Sequence, residues 1–109
     1  MIFKKLAAFH NQTGKSLPVK QSIFDQAWDM NERVKKSGYI PPWNDRMEYL
    51  LRTIEMTMNK TATILKPCHN DFWTNNLMYQ ESLKDLKIID YEYASMNDPC
   101  VDLGLISTT

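Results

Sequence analysis

The chain has 109 residues, and its 13 lysines and arginines balance 13 aspartates and glutamates to a formal charge of zero. That length supports one modest core, and the charge balance offers no basic surface for nucleic acid or an anionic membrane. The two cysteines, Cys68 and Cys100, make no Cys-x-x-Cys pair, and with only two histidines a zinc site is not expected; both thiols are read as reduced and partly buried.

The chain opens with Ile2, Phe3, Leu6 and Phe9 at helical spacing, a pattern that dissolves at Asn11-Gln12-Thr13-Gly14. His10, Asn11 and Gln12 interrupt the apolar run before a signal sequence forms, and no stretch approaches the ~20 apolar residues of a membrane span. No membrane insertion is expected, and the cytoplasm is the expected compartment. Residues 15–21 read as a polar connection. A second helix is expected over 22–37, capped by Ser22, with Ile23, Phe24, Ala27, Trp28 and Val34 on its buried face. Gly38 stands where a helix-ending residue would, and Tyr39-Ile40-Pro41-Pro42 cannot continue the helix. A third helix follows over 45–60, with Asn44 or Asp45 as its cap. In it Met47, Leu50, Leu51, Ile54 and Met58 make one apolar stripe, read as core.

After Pro67 the pattern turns extended. Asn76–Tyr79 and Leu86–Ile89 are strand candidates joined by the loop 80–85, a plausible hairpin. The loop His69-Asn70-Asp71-Phe72-Trp73-Thr74-Asn75-Asn76 precedes the first strand, and Asp90 ends the second. A hairpin would bring Asn76 and Asp90 to one edge. This spacing suits phosphoryl transfer. A loop carboxylate, Asp71, can accept the proton of a substrate hydroxyl and orient it, while an amide oxygen and a second carboxylate, Asn76 and Asp90, suit magnesium. Taken singly, each of these residues reads more readily as structural, Asp71 and Asn76 as turn formers and Asp90 as the cap of the hairpin. The ordered set reads as a kinase site that lacks a phosphate-covering glycine loop and a strand-borne lysine.

The stretch from Cys68 to Gly104 resembles the catalytic half of choline/ethanolamine kinases, within the aminoglycoside-phosphotransferase and protein-kinase-like superfamily. The residues that carry the resemblance are Cys68-His69-Asn70-Asp71, Asn76, Ile89-Asp90-Tyr91-Glu92-Tyr93-Ala94, Asn97-Asp98-Pro99 and Asp102-Leu103-Gly104. Glu92-Tyr93-Ala94 with Asn97-Asp98-Pro99 is most similar to the bacterial, LicA-type enzymes, and Leu6-Ala7-Ala8-Phe9-His10 resembles the family's linker helix.

The resemblance implies an α+β, protein-kinase-like C-terminal lobe, mostly helical, with a short β-hairpin bearing the catalytic loop. Residues 1–12 would be the end of the linker helix, 22–37 and 45–60 helices, and 68–104 the catalytic and metal-binding segment. An N-terminal lobe carrying the phosphate hairpin is expected before Met1, and further helices after Thr109. The implied activity is ATP-dependent phosphorylation of a small amino alcohol such as choline or ethanolamine, with magnesium. Asp71 would be the catalytic base, Asn76 and Asp90 the magnesium ligands, and Glu92 and Tyr93 the substrate contacts. A carboxylate and a ring face both stabilise a quaternary ammonium. His69 and Asp102 would brace the catalytic loop, Asn70 and Trp73 would shape it, and Tyr91 would pack. A kinase for another small alcohol (an aminoglycoside, thiamine or a sugar) and a non-catalytic remnant are the alternatives. A truncated half of this kind is expected to be inactive alone.

Overall fold

The computed structural model describes residues 1–12, 17–61 and 63–109. Thr13-Gly14, where the first helix was expected to end, and the start of the 15–21 connection lie outside the described residues. The fold is α+β, and the chain divides into two compact units, Met1–Lys20 with Ile64–Thr109, and Gln21–Thr63.

The first unit holds helix α1 (Ile2–His10), strands β1 (Lys66–Cys68), β2 (Leu77–Gln80), β3 (Asp85–Ile88) and β4 (Ser95–Asn97), and helix α4 (Cys100–Ser107). Strands β2 and β3 form the expected antiparallel hairpin, with Leu77 opposite Ile88 and Gln80 opposite Asp85. A 3-10 turn at Glu81–Leu83 and Lys84 in the left-handed region (φ 46°) close it. Lys5 from α1 and Lys87 from β3 grip Asp85 at 2.7 and 3.1 Å, and hold its carboxyl at about 2, well below the ordinary range.

Strands β1 and β4 make a second antiparallel pair, Lys66 opposite Asn97 and Cys68 opposite Ser95, which the sequence pattern did not reveal. Pro18 and Val19, read from the sequence as connection, lie along this pair: Val19 bridges to Met96 in parallel, and the Met96 N–H donates to the Pro18 carbonyl at 3.0 Å. A proline tolerates such an edge position because it has no N–H to leave unpaired. Two lysines stand on strands after all. Lys66 in β1 reaches the Asn11 side chain and Lys87 reaches Asp85, so both are engaged within this unit.

The apolar core of the unit is Leu6, Cys68, Phe72 and Leu86. Around it Pro67 and the polar His10, His69, Asn76, Ser95 and Asp102 are buried as well, so half of the buried residues described in this unit are polar. From α1 the buried residues are Leu6 and His10, one turn apart, whereas Phe3 faces solvent.

The second unit holds helices α2 (Ile23–Lys36) and α3 (Asn44–Asn59). Ser22 caps α2, its Oγ accepting the Asp25 N–H at 3.1 Å. Gly38 follows the helix at φ 87°, a conformation that side chains with a Cβ rarely adopt. The cap expected at Asn44 or Asp45 is not formed. Asn44 is the first helical residue, its N–H bonded to Pro41 O, and its Nδ2 runs along the helix to Glu48 Oε1 at 3.0 Å. The expected buried faces of both helices are corrected too. Ile23, Val34, Leu50, Ile54 and Met58 are exposed, Phe24, Ala27, Trp28, Met47 and Leu51 are only half-buried, and polar side chains bond α2 to α3. Asn31 donates to Glu48 Oε1 at 2.7 Å, Lys35 pairs with the same carboxylate, and Trp28 Nε1 donates to Glu55 Oε2 at 2.9 Å. Lys35 first, then the two asparagines, hold Glu48 at about 2. Met47, Leu50, Leu51 and Ile54 instead line an apolar cleft of about 420 Å³ with Ala27, Trp43 and Arg46. Among the described residues no helix is long and apolar enough to cross a membrane.

Candidate active site

The site lies wholly within the first unit and is built on the loop that leaves β1. Phe72, fully buried, anchors this loop in the core with its ring edge-on to His69 at 6.1 Å. That leaves Asp71 beside it partly exposed and Trp73 outside. The Trp73 N–H turns back to Asp71 O at 3.1 Å, a 3-10 turn over Thr74–Asn76 follows, and Asn76 then enters β2. The Nδ2 of Asn76 makes both of its bonds to Asp71, to the backbone O at 2.9 Å and to Oδ2 at 2.8 Å. The amide is therefore fixed, and its carbonyl Oδ1 is the atom left for a cation.

The hairpin carries Asp90 to this loop. The Ile89 N–H donates to Asn76 O at 3.0 Å, one residue beyond the Leu77–Ile88 pair. On its other side Ile89 O accepts from His69 Nε2 at 2.8 Å. Because a carbonyl can only accept, Nε2 carries a proton, and the buried Nδ1 has no protein partner. Ile89 is thus fastened on both sides, and Asp90 emerges next to it with an exposed side chain and a left-handed backbone (φ 64°). Asp71 and Asn76 are in direct contact, and Asp90 joins them through the backbone of Ile89. Oxygen donors of this kind, one amide and one carboxylate, fit the preference of magnesium for hard ligands.

After Asp90 the chain turns, with the Ala94 N–H returning to Tyr91 O at 3.0 Å. Tyr91 packs its ring between His69 (4.9 Å) and Phe9 (5.5 Å), and the loss of water around it raises its phenol pKa. Glu92 and Tyr93 are exposed on the turn, and the Glu92 carbonyl accepts from Lys20 Nζ at 3.2 Å.

Beneath the loop sits Asp102, in the first turn of α4 and fully buried. Its Oδ2 accepts the His69 N–H at 2.9 Å and its Oδ1 the Asn70 N–H at 2.7 Å. His10 Nε2 lies 2.8 Å from the same Oδ2, tying the end of α1 to α4. His10, Cys68 and Asp102 bring donor atoms within 4.8 Å of one another. This cluster makes a poor metal site, because Asp102 already serves two N–H groups and an imidazole. Burial, reinforced by the negative charge of Asp102, also pushes the Cys68 thiol up to about 12, and as a thiol it donates to Asn97 O at 3.4 Å. Cys100 is free and exposed.

Sequence reasoning undervalued Asn70, quoted Asn97 as part of a motif without giving it a role, and missed Ser95. Asn70 occupies the left-handed region (φ 63°), which asparagine tolerates better than most residues, and that preference was the one signal in the sequence. Its side chain bonds to Tyr93 O, Ser95 and Asn97, contacts set by the β1–β4 pairing that the sequence did not disclose.

The chain is similar to known proteins. The Haemophilus influenzae protein LicA is 44% identical over 43 residues, which are 39% of this chain and 15% of LicA. A probable choline kinase 2 of Arabidopsis thaliana is 33% identical over 60 residues, 55% of this chain and 17% of that protein. Mouse ethanolamine kinase 1 is 43% identical over 37 residues, 34% of this chain and 10% of the kinase. A crystal structure of a choline/ethanolamine kinase family protein from Mesorhizobium loti matches the fold with a TM-score of 0.73 at 21% identity, covering 94% of this chain and 34% of that one. The matched stretches thus span a small share of these curated relatives and about a third of the solved chain. The choline/ethanolamine kinase family model matches residues 1–106, nearly the whole length, and the chain belongs to that family.

Proposed function

We propose that these residues form the catalytic half of an ATP-dependent kinase that phosphorylates the hydroxyl of a small amino alcohol of the choline or ethanolamine type. The observation that carries this reading is the double bond-pair from Asn76 Nδ2 to Asp71. It fixes the carboxylate that would orient the alcohol and leaves an amide oxygen that a metal could take. Asp71 accepts the proton of the alcohol as its oxygen forms the new bond to the terminal phosphorus, and the bond from that phosphorus to the leaving nucleotide oxygen breaks. Asn76 and Asp90 would hold magnesium, which when bound neutralises charge on the nucleotide phosphates. Glu92 and Tyr93 present a carboxylate and a ring face to the ammonium group. His69 and Asp102 keep the loop in shape, one through Ile89 and the other through two backbone N–H groups. Both cysteines are free, in keeping with a cytoplasmic, reducing setting.

Residues 1–109 contain no glycine-rich phosphate loop, and both strand lysines are engaged elsewhere. Since phosphoryl transfer rests on positioning and charge stabilisation, this polypeptide by itself should form no more phosphocholine from ATP and choline than its Asp71→Ala variant. Joined to the phosphate-binding lobe of a relative, it should turn over, and Asp71→Ala should lower the rate by about 10²–10⁴-fold. Manganese tests the metal assignment directly. It should broaden the backbone resonances of Asn76 and Asp90 together, and Asn76→Ala should abolish both effects. Broadening at one without the other would sink the shared site.

A further inference from the structure

We propose that Asn70 is a positioning residue that locks the turn carrying Glu92 and Tyr93 to the loop carrying Asp71, so that an amine seated on the turn meets the carboxylate in register. What is being aligned rests on the amino-alcohol reading; the lock itself does not.

Asn70 makes four hydrogen bonds. Its N–H donates to Asp102 Oδ1 at 2.7 Å, and its Oδ1 accepts from Asn97 Nδ2 at 2.8 Å. Its Nδ2 donates to Tyr93 O at 2.9 Å and to Ser95 Oγ at 2.7 Å. Among the described residues, no other side chain of the 69–76 loop bonds to residues 92–95. The shape of the loop is already secured by Asp102 beneath it and by Phe72 in the core, so the amide of Asn70 adds a link across to the turn. Ser95 is only 3% exposed, so water cannot easily replace that link.

The position is demanding. It asks for a left-handed backbone together with two side-chain N–H donors and one acceptor of short reach. Glycine meets the first demand and fails the rest. Aspartate has the shape and the backbone tolerance but would set a carboxylate against the Tyr93 carbonyl. Asparagine meets all of them.

Backbone ¹⁵N relaxation on the 109-residue chain, free of nucleotide and amine, tests the lock. In the wild type the order parameters of Tyr93 and Ala94 should be those of rigid backbone, about 0.85, and in Asn70→Gly and Asn70→Asp they should fall below about 0.6. Strands β2 and β3 should stay rigid in every variant, which separates a released turn from general destabilisation. Ser95→Ala removes one acceptor and should give a smaller fall, and it carries the test should the Asn70 variants not fold. A turn equally rigid without the amide, already mobile in the wild type, or loosened only as the whole unit loosens would overturn the proposal. The measurement reads neither manganese binding nor turnover, so the lock and the kinase reading fail independently.

Discussion

The two units of this chain use buried polar groups in opposite ways. In the first, fully buried Asp102 and His69 stand among Leu6, Cys68 and Phe72, and their hydrogen bonds fix one loop. In the second, the buried residues among those described are Asn31, Asn44 and Pro41; both asparagines bond to Glu48, while the apolar stripe of α3 is largely exposed. Paired polar groups inside an apolar shell are held rigidly, because breaking their bonds strands them where no water can reach them. A polar seam between two helices sets their register, and its Glu48 and Lys35 stay partly open to solvent and acid.

The largest effects should therefore fall in the first unit. Asp102→Ala leaves the N–H groups of His69 and Asn70 and the His10 imidazole without their acceptor, and should cost about 3–5 kcal/mol in urea unfolding. Phe72→Ala, which empties the core beneath the same loop, should cost about 3–5 kcal/mol. Thiol labelling gives a second view. Cys68, buried and held as a thiol, should be silent in the native chain, leaving Cys100 as the one reactive cysteine. In Asp102→Ala both should react. If Cys68 labels as fast in the wild type, the closed interior of this unit is wrong.

How much of this was legible in the sequence depends on the distance over which each feature is encoded. The β2–β3 hairpin and the Asp71–Asn76 loop are local, so alternation and motif spacing revealed them, as the Ser22 cap and Gly38 revealed the ends of α2. The β1–β4 pair joins Lys66 to Asn97, and strands of three residues carry no period to read. Helix α4 is eight residues long and includes Gly104, so it offered no stripe either, although Asp102 in its first turn was recognised by motif. Helix α3 itself was legible, but the reading of its stripe as core failed for another reason. Periodicity shows that one face is apolar; it does not say what lies against that face. The seam through Asn31, Asn44 and Glu48 depends on two helices meeting, and no single-helix pattern announces it.

Acid should separate the seam from the interior. Glu48 is held at about 2, by Lys35 and then the two asparagines, so its contribution to stability is complete above the unfolded carboxyl value of about 4.3. That contribution falls away as pH drops from there through about 2. The α2–α3 pair should loosen over this window, seen as a falling urea midpoint for the emission of Trp28 and Trp43, and Glu48→Gln should flatten the change. Asp85 titrates over the same range through Lys5 and Lys87, so Asp85→Asn should remove the matching change from the β2–β3 hairpin and leave that of the helix pair. A single transition lost in both variants would mean that the two units do not respond separately.

The smallest effect is expected on the α3 stripe, and it is the sharpest test of the contrast. Leu50 and Ile54 are 43% and 50% exposed. Replacing both with lysine removes little that is buried, so the urea midpoint of dilute chain should move by no more than about 0.5 kcal/mol equivalent. Leu6→Ala, at 2% exposure in the first unit, should cost about 2–5 kcal/mol. The comparison is informative because all three residues are aliphatic and all three lie on helices, so propensity and chemistry are nearly matched and burial is the variable. Sedimentation at rising concentration supplies the control. Lysines that cost little in dilute chain and reduce association at high concentration mark an open apolar face that copies of the chain cover when crowded. Lysines that cost as much as Leu6→Ala in the dilute monomer would show the stripe to be interior, and the second unit would then be held together as the first one is.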